Sequence, residues 1–150
     1  MQVRFHVAAS VIVSAATYAV SQSATMAAVT LLSGIFIDAD HLLDYVVTNR
    51  PPYSLRRLVD TYYQHRITHV FLLLHSWELL GILALAAMAL HWAPVATGLL
   101  IGMGHHLLLD QIFNNPYPLG YFLTFRMYHS FSYSRCFRRP AGPTHNEVSP

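Results

Sequence analysis

Lysine is absent from this 150-residue chain, and charge of either sign is scarce. The nine basic residues are all arginine, there are seven acids, and charged residues make up 11% of the sequence, against about 25% in ordinary soluble chains. The net charge of +2 gives no sign of a nucleic-acid partner, and none is expected. Cysteine is reduced to Cys136, which cannot form an internal disulfide and has no base beside it, so it reads as a passive thiol. What remains is apolar: 54% of the residues. Disorder is thereby excluded except at a tail, and the length is that of one domain.

The apolar residues fall into long runs. The clearest spans Thr68 to Leu90, interrupted only by His75 and Glu78, and exceeds the roughly 20 residues that a bilayer requires. A second runs from Trp92 to Phe113 after the turn His91-Trp92-Ala93-Pro94, with Pro94 suited to the first turn of a helix. Two shorter runs, Val7 to Val20 and Ala24 to Ile37, flank Ser21-Gln22-Ser23; a cleaved signal peptide with Arg4 as its basic region is the rival reading of the first. Arginines alternate across these runs. Arg4 precedes the first, Arg50, Arg56, Arg57 and Arg66 lie between the second and third, and Arg126, Arg135, Arg138 and Arg139 follow the fourth, while the two short turns carry none. The positive-inside rule then predicts four spans with both termini cytoplasmic. The expected architecture is all-α, a polytopic helical membrane domain over 1–137 with a surface helix at 55–64 in the 42–64 connection. A further amphipathic or re-entrant helix is expected at 119–131, and a disordered tail over 138–150.

Against this apolar background the histidines and acids are clustered. Asp38-Ala39-Asp40-His41, His65-Arg66-Ile67-Thr68-His69 and His105-His106-Leu107-Leu108-Leu109-Asp110 all fall on the cytoplasmic side of that topology, as does His6. His106 and Asp110 are four apart and share a helix face, and Gly98 and Gly102 continue that face, where glycine lets another helix approach. The face is therefore expected to turn inward. His65 and His69 repeat the four-residue spacing, which can chelate one ion, and Asp38, Asp40 and His41 sit at a helix end. Such residues also cap helices or anchor interfaces. Their concentration on one membrane face favours ligation. The expected metal ligands are His6, Asp38, Asp40, His41, His65, His69, His106 and Asp110. Imidazoles with carboxylates suit zinc, manganese or iron better than magnesium or calcium, as one or two ions. His75 and Glu78, ionisable groups inside a span, read as a contact between helices, an active-site floor or an ion path.

These motifs resemble the bacterial inner-membrane, metal-dependent hydrolase-like family (the YdjM-like, LexA-regulated type), which is remotely similar to zinc-dependent phospholipase C. The family pattern is an early histidine, Pro-Asp-x-Asp-His, His-Arg-Gly-x-Thr-His-Ser and His-Leu-x-x-Asp. It corresponds here to His6, Asp38 to His41, His65 to His69 and His106 to Asp110. Ile37, Ile67 and Val70 depart from its proline, glycine and serine. The resemblance implies an inner-membrane location and a metal site. The function expected is hydrolysis of a phosphoester of a lipid or nucleotide by a metal-activated water. Asp40 or Glu78 would manage protons and Arg66 would neutralise phosphoryl charge. Membrane lipids are expected partners, and an oligomer is open. The alternatives are a small metal or proton transporter using His75 and Glu78, and a metal-stabilised scaffold without turnover.

Overall fold

The computed structural model describes residues 3–49, 52–54, 56–58, 61, 67–114 and 116–138. His65, Arg66 and the tail beyond Arg138 lie outside the described residues. So does much of the expected helix at 55–64, of which 56–58 and 61 are helical. The described chain is all-helical: α1 (Val3–Ser21), α2 (Ala24–Phe36), α3 (Ala39–Thr48), α4 (Trp77–Ala89), α5 (Pro94–Phe113), α6 (Leu123–Tyr128) and α7 (Tyr133–Cys136). Among the described residues β pairing is limited to two isolated bridges, His69 with Ser132 and Pro116 with Phe137.

Both expected tight turns form. Gln22 adopts φ 53° between α1 and α2, and the Ser23 hydroxyl caps α2 by accepting from Met26 N–H at 3.2 Å. His91 and Trp92 (φ 50° and 58°) reverse the chain between α4 and α5, and Pro94 opens α5, where its missing N–H costs nothing.

The glycine face of α5 turns inward, against α2. A Cβ on Gly98 would stand 2.7 Å from Met26 O, and one on Gly102 would stand 2.5 Å from Thr30 O. The two helix backbones therefore meet with no room for a methyl group, the arrangement that small residues at four-residue spacing permit. Thr30 and Ser33 add hydroxyl contacts to Gly98 O at 3.3 and 3.4 Å.

The run Thr68 to Leu90 does not form one helix. Residues 67–76 are a non-helical segment, and α4 begins at Trp77 behind an N-cap, Ser76 Oγ, which accepts from Leu79 N–H. The backbone donors of 67–76 are taken from outside: Asp44 receives Phe71 N–H at 3.0 Å, Asp40 receives Leu74 N–H at 2.7 Å, and Phe131 O receives Val70 N–H at 2.8 Å. Short apolar runs such as Val70 to Leu74 carry no periodicity that separates helix from extended chain, and distant acceptors decided this one. The segment lies on a core of Val70, Leu72, Leu107, Tyr121, Tyr133, Cys136 and Phe137. The helix expected over 119–131 is shorter, α6, because Ser130 and Phe131 (φ 51° and 56°) turn the chain back toward Val70.

α3 is inverted relative to a soluble amphipathic helix. It buries Asp40 and Asp44 and exposes Leu42, Leu43, Val46 and Val47. By length and composition, one helical stretch among the described residues, Ala24–Thr48, can cross a membrane; Trp77–Ala89 is apolar but shorter.

Candidate metal centre

Four separate parts of the chain deliver imidazoles and carboxylates to one point. Asp38 comes from the α2–α3 junction, His75 from the end of the 67–76 segment, His106 and Asp110 from the inward face of α5, and His6 from α1. His106 Nε2 lies 3.3 Å from Asp38 Oδ1 and 3.7 Å from Asp110 Oδ2. His75 Nε2 lies 3.6 Å from each of the same two oxygens. Zinc bonds of about 2.0–2.1 Å to nitrogen and oxygen place tetrahedral neighbours about 3.3–3.4 Å apart. The four contacts between imidazole nitrogens and carboxylate oxygens are thus close to the edges of a tetrahedral shell.

The outer contacts orient these donors. His106 Nδ1 is 2.7 Å from Gly34 O. A carbonyl only accepts, so Nδ1 carries the proton and Nε2 presents a lone pair to the carboxylates. His75 Nδ1 faces Asp40 Oδ2 at 3.4 Å, the carboxylate–histidine arrangement typical behind a ligating ring. Both Nε2 atoms are buried and have no hydrogen-bond partner among the described residues. His6 Nε2 sits 3.0 Å from the other oxygen of Asp110, and its ring stacks on His106 at 3.9 Å. His41 closes the opposite edge, its Nδ1 3.5 Å from Asp38 Oδ1 and its ring edge-on to His75. Asp38 and His41 are about a quarter exposed, whereas His6, His75, His106 and Asp110 are buried. The centre therefore opens at the Asp38–His41 edge. Two groups have donor atoms close enough for one ion, His6 with His106 and Asp110, and Asp38 with His75 and His106. Only Nε2 of His106 is available to them, so a single ion draws on both groups, or two ions compete for that nitrogen.

Without an ion the same atoms pair with one another. Metal affinity is expected to rise with pH, because a ligating imidazole must first shed any proton it carries. A flat Co2+ affinity profile between about pH 5 and 8, the range in which imidazoles change charge, would remove the histidines from the centre.

Of the residues singled out from sequence, the structure brings together His6, Asp38, His41, His106 and Asp110, with Asp40 behind His75. It leaves out two. His69 is exposed, with its Nδ1 3.2 Å from Thr68 Oγ1, because its segment is not helical and the four-residue spacing has no geometric meaning there. Glu78 instead receives Leu123 N–H at 2.8 Å and Thr124 N–H at 2.9 Å, and so caps α6. His105 takes a separate course, to Ser10 Oγ and Ile101 O, both at 3.1 Å. The converging donor that helical spacing misplaces is His75, and the one sign of it in the sequence is an ionisable residue inside an apolar run. Compared with family models, curated proteins and solved structures, the chain shows no match.

Proposed function

We propose that this chain is a metal-dependent hydrolase of the YdjM-like type, embedded in the bacterial inner membrane with four spans and cytoplasmic termini, cleaving a phosphoester of a lipid or nucleotide. The observation that carries this reading is the convergence of His75 Nε2, His106 Nε2, Asp38 and Asp110, with contacts of 3.3–3.7 Å. The inverted α3 supports the membrane setting: a helix with acids inside and Leu42, Leu43, Val46 and Val47 outside suits lipid, not water. A divalent ion, zinc first and manganese or iron next, would supply Lewis acidity toward a phosphoryl oxygen and an acidified water.

The chain's own residues divide the remaining work. His75, His106 and Asp110 hold the site from its buried side. Asp38 and His41 form its open edge, where substrate and water enter. His41, at the same edge, would take or give a proton. Asp40 is not, because its carboxylate is committed to the backbone of Leu74 and the ring of His75. Arg66 keeps the phosphate-neutralising role read from the sequence. Transport through His75 and Glu78 finds less support, since the two side chains serve different partners. Four protein donors also suit a structural ion, and turnover separates that scaffold from an enzyme.

Elemental analysis of detergent-purified protein is the test. One or two zinc, manganese or iron atoms per chain are expected, lost in His106→Ala and Asp38→Ala, with phosphoester hydrolysis lost in parallel. A wild-type protein that takes up no metal on reconstitution ends the hydrolase reading. Metal without turnover on lipid or nucleotide phosphoesters leaves the scaffold.

A further inference from the structure

Arg126 is the largest fully buried side chain among the described residues, and no carboxylate receives it there. Its Nη1 donates to Leu72 O at 3.0 Å and its Nη2 to His75 O at 2.9 Å. Both carbonyls belong to the turn that presents His75, closed by His75 N–H to Leu72 O at 3.1 Å. Across that turn the donors meet charge of the opposite sign. Asp40 Oδ2 receives Leu74 N–H at 2.7 Å and lies 3.4 Å from His75 N, and Asp44 Oδ1 receives Phe71 N–H at 3.0 Å. The backbone of 71–75 is thus suspended between two buried carboxylates on α3, which take its N–H groups, and one buried guanidinium on α6, which takes its C=O groups. The peptide dipoles relay the charges to each other without a direct ion pair.

We propose that Arg126 is a positioning residue for the metal centre, its planar fork holding the 72–75 turn so that His75 Nε2 meets Asp38 and Asp110. A buried charge is costly unless its hydrogen bonds are met; the two terminal nitrogens of Arg126 find carbonyls while Nε has no partner among the described residues, and a fork matched to two carbonyls is a task that arginine performs and lysine does not. Leu72 gives a second, independent sign. It adopts φ 42°, a left-handed conformation that a non-glycine residue keeps only where its surroundings over-determine it, and Arg126 grips its carbonyl. Glu78 completes the chain of support by capping the helix that carries Arg126.

The proposal rests on the metal-centre reading, so the test has one arm with metal and one without. The full chain in detergent is titrated with Co2+, read by its visible absorption. Hydrogen exchange of the Phe71, Leu74 and His75 amides is followed in the metal-free protein. Arg126→Met is expected to bind Co2+ about 10–100-fold more weakly, the usual effect of losing an outer partner, and to lose protection at those amides while its helical circular dichroism is retained. Arg126→Lys is expected to fall between Met and wild type in both readouts. If the Met variant does not fold, the Lys variant decides alone: intermediate values support the fork, and wild-type values overturn it. In a protein that binds Co2+, loss of affinity or of protection without the other also overturns it. A wild type that binds no Co2+ would sink the metal centre instead, and the exchange arm would still decide whether Arg126 holds the turn.

Discussion

His75→Ala is expected to weaken metal binding by more than about 100-fold, beyond the 10–100-fold that loss of an outer partner costs, whereas His69→Ala leaves it unchanged. His75 supplies one of four converging donors, and its loss also leaves Asp38, Asp40 and Asp110 facing one another without the ring between them. A buried charge left uncompensated costs about 3–5 kcal/mol, so the metal-free variant is expected to melt lower at neutral pH and to recover as the carboxylates protonate. The His69 ring is exposed, with its Nδ1 beside Thr68 Oγ1, and a surface substitution of that kind stays within about 0.5 kcal/mol. Co2+ titration and thermal melting of the two variants side by side measure both effects. A protein that keeps its metal without His75 and loses it without His69 would restore the helical His65/His69 pair and reject the geometry of the 67–76 segment.

Gly102→Ala is expected to be the most damaging methyl group that can be added to the seam. Its Cβ would overlap Ser33 Oγ and stand 2.5 Å from Thr30 O and 3.1 Å from Gly34 N. Ser33 can rotate away, but Thr30 O and Gly34 N are backbone, so α2 and α5 must separate. Overpacking of this kind costs about 1–3 kcal/mol. It also reaches the centre, because the neighbouring Gly34 O fixes the His106 ring at 2.7 Å. A lower thermal midpoint and weaker metal binding are therefore expected together. Gly81→Ala is the control: nothing lies within 4 Å of its Cβ, and alanine is favoured over glycine in a helix by up to about 1 kcal/mol. Equal stability of the two variants would show that α2 and α5 are not in close contact at Gly102.

The parts of the centre that could be read in advance are those set by local geometry. His106 and Asp110 share a face because one helix carries both, and Gly98 and Gly102 announce which way that face points. Asp38 and His41 mark a helix junction, and the structure bears out the turns at 21–23 and 91–94. His75 could not be placed in this way. Its position depends on Asp40, 35 residues earlier, and on Arg126, 51 residues later, and neither leaves a periodic trace in the sequence. The same holds for Glu78, which looks like a charge inside a span and serves as the cap of a helix that begins 45 residues on.

By itself, then, the sequence determined the helical class, the reversals between helices, the inward glycine face and the local pool of histidines and acids. These follow from spacing and turn chemistry, which act over a few residues. Only the tertiary structure decided which histidines meet, that Val70 to Leu74 is not helix, and that Asp40 holds a backbone turn. Backbone donors and acceptors must all be satisfied once buried, and the groups that satisfy those of 70–75 come from α3, α6 and the turn that follows α6, elements that only folding brings beside them.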